Sequence, residues 1–220
     1  MFTENLTRIL FSNWQRTLQP FGVDEVAADK AFNQLVTAYS SSDRHYHTLK
    51  HIHHVLNMIE ILQGYTNNLT AVQFAAWFHD VVYDTQAKDN EQKSADYALE
   101  LLSSLGISED TIATVTNLIL NTKEHQAAVD DFDSQVLLDA DLAIFAASPV
   151  DYTEYVYAIR KEYDWVSKAE YIVGRRQVLE RFLKRSHIYF TPLMLEFAEP
   201  FARSNIQEEI KYLASEYVFD

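Results

Sequence analysis

The 220-residue chain contains no cysteine, which removes disulfides, thiolate zinc sites, iron–sulfur clusters and cysteine nucleophiles from consideration. Any metal must therefore rest on histidine and carboxylate. Glycine and proline are scarce at four each and fall mostly between periodic segments, so there is little with which to build hairpins. No run approaches the roughly 18 apolar residues of a spanning helix, and Met1-Phe2-Thr3-Glu4-Asn5 lacks the basic-then-apolar pattern of a leader. Basic residues are outnumbered: 18 Lys and Arg against 32 Asp and Glu give a formal net charge of −14, a field that repels nucleic-acid backbones and anionic membranes. The expectation is a cytoplasmic protein with neither nucleic acid nor membrane as partner.

What remains is the composition of a folded domain, 48% hydrophobic and 23% charged. Apolar residues recur at helical spacing over 4–18, 24–39, 50–63, 70–83, 90–105, 109–122, 134–147, 151–163, 168–185 and 193–218. No comparable β-alternation is present. This predicts an all-α bundle of about ten helices in a single domain over 1–220, with a core at about 40–147 and a C-terminal helical layer from about 150. Asp89, with Gln92 three residues on, reads as the cap of the 90–105 helix, and Gly106 as its stop.

Histidine is unevenly placed, since five of the eight (His45, His47, His51, His53 and His54) lie within one short stretch. On a helix, Ile52, Val55, Leu56, Ile59 and Leu62 share a face, and His51 sits at its edge. His45, His53 and His54 point elsewhere and read as solvated or rim residues. A second feature is Trp77-Phe78-His79-Asp80-Val81-Val82-Tyr83-Asp84, in a helix apolar nearly all round, where a charged Asp80 is costly unless paired or metal-bound. The third is Leu137-Leu138-Asp139-Ala140-Asp141-Leu142. Asp141 has Leu137, Leu138, Ile144 and Phe145 at helical neighbour positions, whereas Asp139 falls on the less apolar side. An uncompensated carboxylate at Asp141 would cost several kcal/mol or stay protonated, and a cation is the economical compensation.

Three helices thus each direct polar groups inward, and His51, His79, Asp80 and Asp141 form a four-ligand set for one divalent cation. Mixed nitrogen and oxygen ligation suits Mn, Fe, Co, Ni or Zn better than Ca or Mg.

At this point the residues resemble the HD superfamily of metal-dependent phosphohydrolases, whose signature is a His, then an adjacent His-Asp, then a distant Asp. Arg44-His45-Tyr46-His47-Thr48-Leu49-Lys50-His51-Ile52, the His-Asp-Val-Val-Tyr-Asp at 79–84, Asp89-Asn90-Glu91 with Ser94-Ala95, and Asp139-Ala140-Asp141-Leu142 are similar to a subfamily of predicted HD hydrolases. The likeness spans most of the chain. It implies an all-helical HD-type fold, a metal at the four ligands and hydrolysis of a phosphoester or phosphoanhydride by a metal-activated water. An alternative alignment makes His47 the first ligand in place of His51.

Relatives often carry an acid three residues after the His-Asp pair, where this chain has Tyr83. The base role accordingly falls to Asp84, Glu91 or Asp80 itself. Arg44 is the leading phosphate clamp, because a guanidinium matches phosphate with two parallel hydrogen bonds; Lys50 and Lys123 are weaker versions. His47 and His125 are candidate substrate contacts, and a lone extra His125 makes a dinuclear site the lesser reading. Arg175, Arg176, Arg181, Lys184 and Arg185 read as a solvated face or as partners of the acidic excess. The substrate expected is a small phosphorylated molecule, a nucleotide within that class. The competing readings are a non-catalytic nucleotide-binding regulatory module and, further off, an iron-dependent oxygenase of the same fold. Tyr212 and Tyr217 are candidate dimer-surface aromatics.

Overall fold

The structure, a computed structural model, describes residues 2–216; Tyr217 lies outside them. Those residues form eleven α-helices and three short 3-10 turns, with no strand among them. None of the helices is long and apolar enough to cross a membrane. The contacts group into two compact units, one ending at Ala140 and one beginning at Asp141.

The first unit holds α1 (Phe2–Leu18), α2 (Glu25–Ala38), α3 (Leu49–Leu62), α4 (Leu69–Phe78), α5 (Asn90–Ser104), α6 (Glu109–Asn121) and α7 (Phe132–Asp141), the last residue of α7 falling past the division. Short polar side chains start these helices by accepting the first free N–H groups: Asp24 for α2, Thr48 for α3, Asn68 for α4 and Ser108 for α6. α4 carries the core. Ala71, Val72 and Phe74 to Phe78 are all buried, and Trp14 of α1 meets Phe74, Trp77 and Phe78 edge-on at 5.6–6.2 Å between centroids, geometry that favours ring quadrupoles by about 1 kcal/mol per pair.

Two local expectations divide at α5. Gly106 is indeed its stop: at φ 75° it takes the left-handed conformation, while Ile107 N donates to Leu102 O at 3.1 Å and Gly106 N to Ser103 O at 3.0 Å. Buried Ile107 and Leu102 supply the apolar contact that accompanies this closure. Asp89, by contrast, occupies the cap position without accepting a capping bond. Its carboxylate pairs with Lys93 at 3.0 Å, both exposed.

The second unit holds α8 (Pro149–Glu162), α9 (Lys168–Lys184), α10 (Pro192–Phe197) and α11 (Glu199–Glu216), after a 3-10 turn at Leu142–Ala146. The expected 134–147 helix therefore divides into α7 and this turn. The expected 193–218 helix divides at Ala198, because Pro200 has no N–H to offer the preceding turn and suits only the start of a new helix. Inside this unit Arg175 Nε and Glu209 Oε1 lie 2.7 Å apart, with side chains 8% and 2% exposed. Arg175 also donates to Glu209 Oε2 (3.1 Å) and to the Tyr155 hydroxyl (3.0 Å), and the Tyr152 hydroxyl donates to Glu209 Oε2 at 2.6 Å. Arg175 is thus a buried partner of the acidic excess, not part of a solvated face. Arg176 makes only a half-exposed pair with Glu180.

Candidate metal centre

α4 was expected to run to residue 83, but only the first of its last four carbonyls keeps an ordinary helical partner, and the other three are claimed in another way. Ala75 O accepts from His79 N (2.8 Å), Ala76 O from His79 Nδ1 (3.0 Å), Trp77 O from the Tyr39 hydroxyl (2.8 Å) and Phe78 O from Val81 N (3.0 Å). Asp80 O and Val81 O would have carried the helix onward. They accept instead from the Arg44 guanidinium at 2.7 and 2.9 Å, and Arg44 also donates to His47 O at 3.0 Å. Ser94 of α5 then holds Val82, accepting from its N–H at 3.1 Å and donating to its carbonyl at 3.2 Å. The outcome is a tight turn that throws His79 and Asp80 off the end of a buried helix.

His51 arrives on α3, buried on the same side as Ile52, Val55 and Ile59. Its Nε2 lies 3.1 Å from His79 Nε2. Because a carbonyl can only accept, the His79 Nδ1 contact with Ala76 O requires a proton on Nδ1, so the neutral ring turns an Nε2 lone pair toward this meeting point. Asp80 Oδ2 stands 3.1 Å from His79 Nε2 and 3.5 Å from His51 Nε2. Asp141, half-buried at the end of α7, completes a group with His51, His79 and Asp80 whose ligand atoms all lie within 4.8 Å of one another. Two imidazole nitrogens and two carboxylates converging this closely can hold a metal ion, and a ligating His whose other nitrogen is fixed on a backbone carbonyl is the usual supporting arrangement.

Burial alone would raise the Asp80 carboxyl, but when the rings are protonated the His79 and His47 charges, with hydrogen bonds from His51 and His79, hold it well below the usual carboxylate range. Tyr39 beside it is pushed well above the usual tyrosine value by burial and by Asp80.

His47 does not join the four. Its Nε2 is 3.8 Å from Asp80 Oδ2, its ring is stacked on Tyr83 at 3.9 Å, and Tyr46 packs against His51 at 4.9 Å. His51, and not His47, belongs to the group that could hold a metal ion. His45 and His54 are exposed and His53 half-buried. Arg44 departs most from expectation. Buried, with donors on three carbonyls and its face over the Tyr39 and Tyr83 rings at 5.0 and 5.8 Å, the guanidinium straps the chain together and is not offered as a fork to a phosphate.

The remaining candidates lie on loops and helix ends. Asp84 is exposed, and its Oδ1 accepts from Gln86 N at 2.8 Å in a tight turn, while Asn90 brackets its main chain. Glu91 is half-buried in the first turn of α5. Lys123 donates to Lys88 O at 3.1 Å. His125 has φ 47°, which no other non-glycine residue among those described shares in sign.

Sequence reasoning also misplaced or missed neighbours. Asp139 is fully buried, because Val136 to Ala140 are all buried and α7 has no less apolar side there. Tyr39 escaped notice, and Ser94 was read only as part of a motif and not as a support of the turn, because their partners are main-chain groups, which leave no side-chain pattern. No family model matches the chain, and no curated protein matches it.

Proposed function

We propose that this chain is a metal-dependent phosphohydrolase of the HD type, cleaving a phosphoester or phosphoanhydride in a small phosphorylated molecule, with nucleotides the first class to try. One observation carries the reading: His51, His79, Asp80 and Asp141 bring their ligand atoms within 4.8 Å of one another, in the chain order of the HD signature. The donor set suits Mn, Fe, Co, Ni or Zn. When bound, such an ion supplies Lewis acidity toward a phosphoryl oxygen and acidifies a coordinated water.

The chain's own groups divide the remaining work. Asp80 keeps its charge beside the imidazoles and is placed to orient a nucleophile. His47, 3.8 Å from Asp80 and backed by Tyr83, is placed to hold a proton at the rim. Arg44 fixes the turn on which both depend. With Arg44 committed inward, anion contact falls to Lys50, exposed beside His51, and to Lys123 and His125.

The test is phosphate or pyrophosphate release from a nucleotide and phosphoester panel in Mn or Co. Turnover is expected in the native protein and none in Asp80→Ala. A broad panel without metal-dependent turnover defeats the reading. A non-catalytic nucleotide-binding module is the second reading, favoured by Arg44 and Asp84 both being committed to main-chain bonds; tight nucleotide binding with no turnover selects it.

A further inference from the structure

Asp133 lies in the first turn of α7, where a carboxylate ordinarily caps its own helix. That task is already done by Asp131, whose Oδ1 accepts from Ser134 N at 3.1 Å. Asp133 reaches across instead to the segment that opens α4. Its Oδ1 accepts from Asn67 N at 2.7 Å, from Asn68 N at 3.0 Å and from the Thr66 hydroxyl, and Asn68 in turn caps α4 through Ala71 N at 3.1 Å. One half-buried carboxylate oxygen thus pins the start of α7 to the start of α4.

Both helices are ten residues long, which at about 1.5 Å per residue makes each about 15 Å. His79 and Asp80 follow the end of α4, Asp141 is the end of α7, and their ligand atoms meet. The two helices have equal length, are joined at their origins through Asp133 and bring their ligand atoms together at their far ends. A slip of one residue in either would displace its ligand by about 1.5 Å and swing it about 100° around the helix, out of reach of the others.

We propose that Asp133 is a positioning residue that sets the register between the helices carrying His79-Asp80 and Asp141, and so the geometry of the metal centre. This rests on the metal reading above and deepens it: the site depends on a hydrogen-bonded clamp a whole helix length away from the ligands.

The experiment uses the full chain and four variants: Asp133→Asn, Asp133→Ala, Thr66→Val, which removes one donor of three, and Asp131→Asn, which weakens the cap of the same helix without touching α4. Cobalt(II) is titrated into each and followed by its visible absorption. Melting temperature and the ring nitrogen–proton correlations of His51 and His79 are recorded on the metal-free samples. Asp133→Ala is expected to bind cobalt about tenfold or more weakly with an altered absorption band, and Asp133→Asn, which keeps an accepting oxygen but loses the charge, and Thr66→Val, which loses one donor, to move the same way by less. Asp131→Asn is expected to melt earlier while binding cobalt as the native protein does. The proposal is overturned if the Asp133 and Thr66 variants only melt earlier, as Asp131→Asn does, with cobalt affinity, absorption and ring correlations unmoved. Should the native protein take up no cobalt, the metal reading falls, and the ring correlations alone decide the clamp: changed in the Asp133 and Thr66 variants but not in Asp131→Asn sustains it, unchanged refutes it. If Asp133→Ala does not fold, Asp133→Asn and Thr66→Val carry the same readouts.

Discussion

Arg175 and Glu209 in the second unit, and Asp80 with its histidines in the first, are both polar clusters held out of water, yet they are built to opposite specifications. Glu209 spends its acceptors on Arg175 twice and on Tyr152 once, so charge is cancelled within the cluster. At Asp80 the groups converge without cancelling: the Nε2 atoms of His79, His51 and His47 all approach Oδ2, at 3.1, 3.5 and 3.8 Å. The guanidinium nearest them, that of Arg44, donates to carbonyls. A closed ion pair has no need of a ligand, whereas a set of lone pairs facing one point is completed by a cation. Burial and polarity are common to both, and the direction of the donors separates a structural cluster from a candidate site.

The sharpest test of this contrast removes one partner from each. Glu209→Ala strands a buried guanidinium and is expected to cost about 3–5 kcal/mol in denaturant melts while leaving cobalt affinity at the native value; lost cobalt binding would dissolve the distinction. Arg44→Ala orphans three carbonyls at the turn and is expected to cost about 3 kcal/mol and to weaken cobalt binding as well, since His79 and Asp80 lose their support. Native cobalt affinity in that variant would make the strap irrelevant to the site.

A milder test uses pH. The folded carboxyl of Asp80 lies below its unfolded value, so its contribution to stability is complete above the unfolded value and disappears as pH falls through the folded one. Burial pushes Tyr171 up to about 12, against the pull of Arg175, and Tyr152 and Tyr155 also shift upward. Their contribution is complete below about 10 and fades as pH rises through the folded values. Acid is therefore expected to act first on Trp14 and Trp77 in the first unit, and alkali on Trp165 in the second, read by fluorescence with Trp165→Phe separating the two. Both reporters moving together on both limbs would mean the clusters do not differ in this respect.

The four residues of the candidate metal group were legible because each is a polar residue in apolar company, a mismatch visible in one dimension. The all-helical class was legible from period and from the dearth of glycine and proline. Arg44 was misread for a physical reason: its acceptors are the carbonyls of His47, Asp80 and Val81, and a carbonyl is common to every residue and signals nothing. The early end of α4 was hidden for the same reason, since it depends on those bonds and on Tyr39. The break before α11 had a signal in Pro200 that the apolar period overrode. Asp133 was hidden as well, because its partners lie 65 to 67 residues away and no local pattern distinguishes a clamp from a cap.

The grip of Arg44 and Tyr39 on the turn has a thermodynamic consequence. Where ligands hang on loose chain, an ion must order that chain as it binds, and its free energy appears as folding. Here the turn is stapled by the protein's own cation and a phenol, so an ion bound at the proposed centre would find its ligands already assembled and little entropy left to remove. Chelation would then empty the centre without unravelling the helices around it, and such an ion would be a guest rather than a keystone.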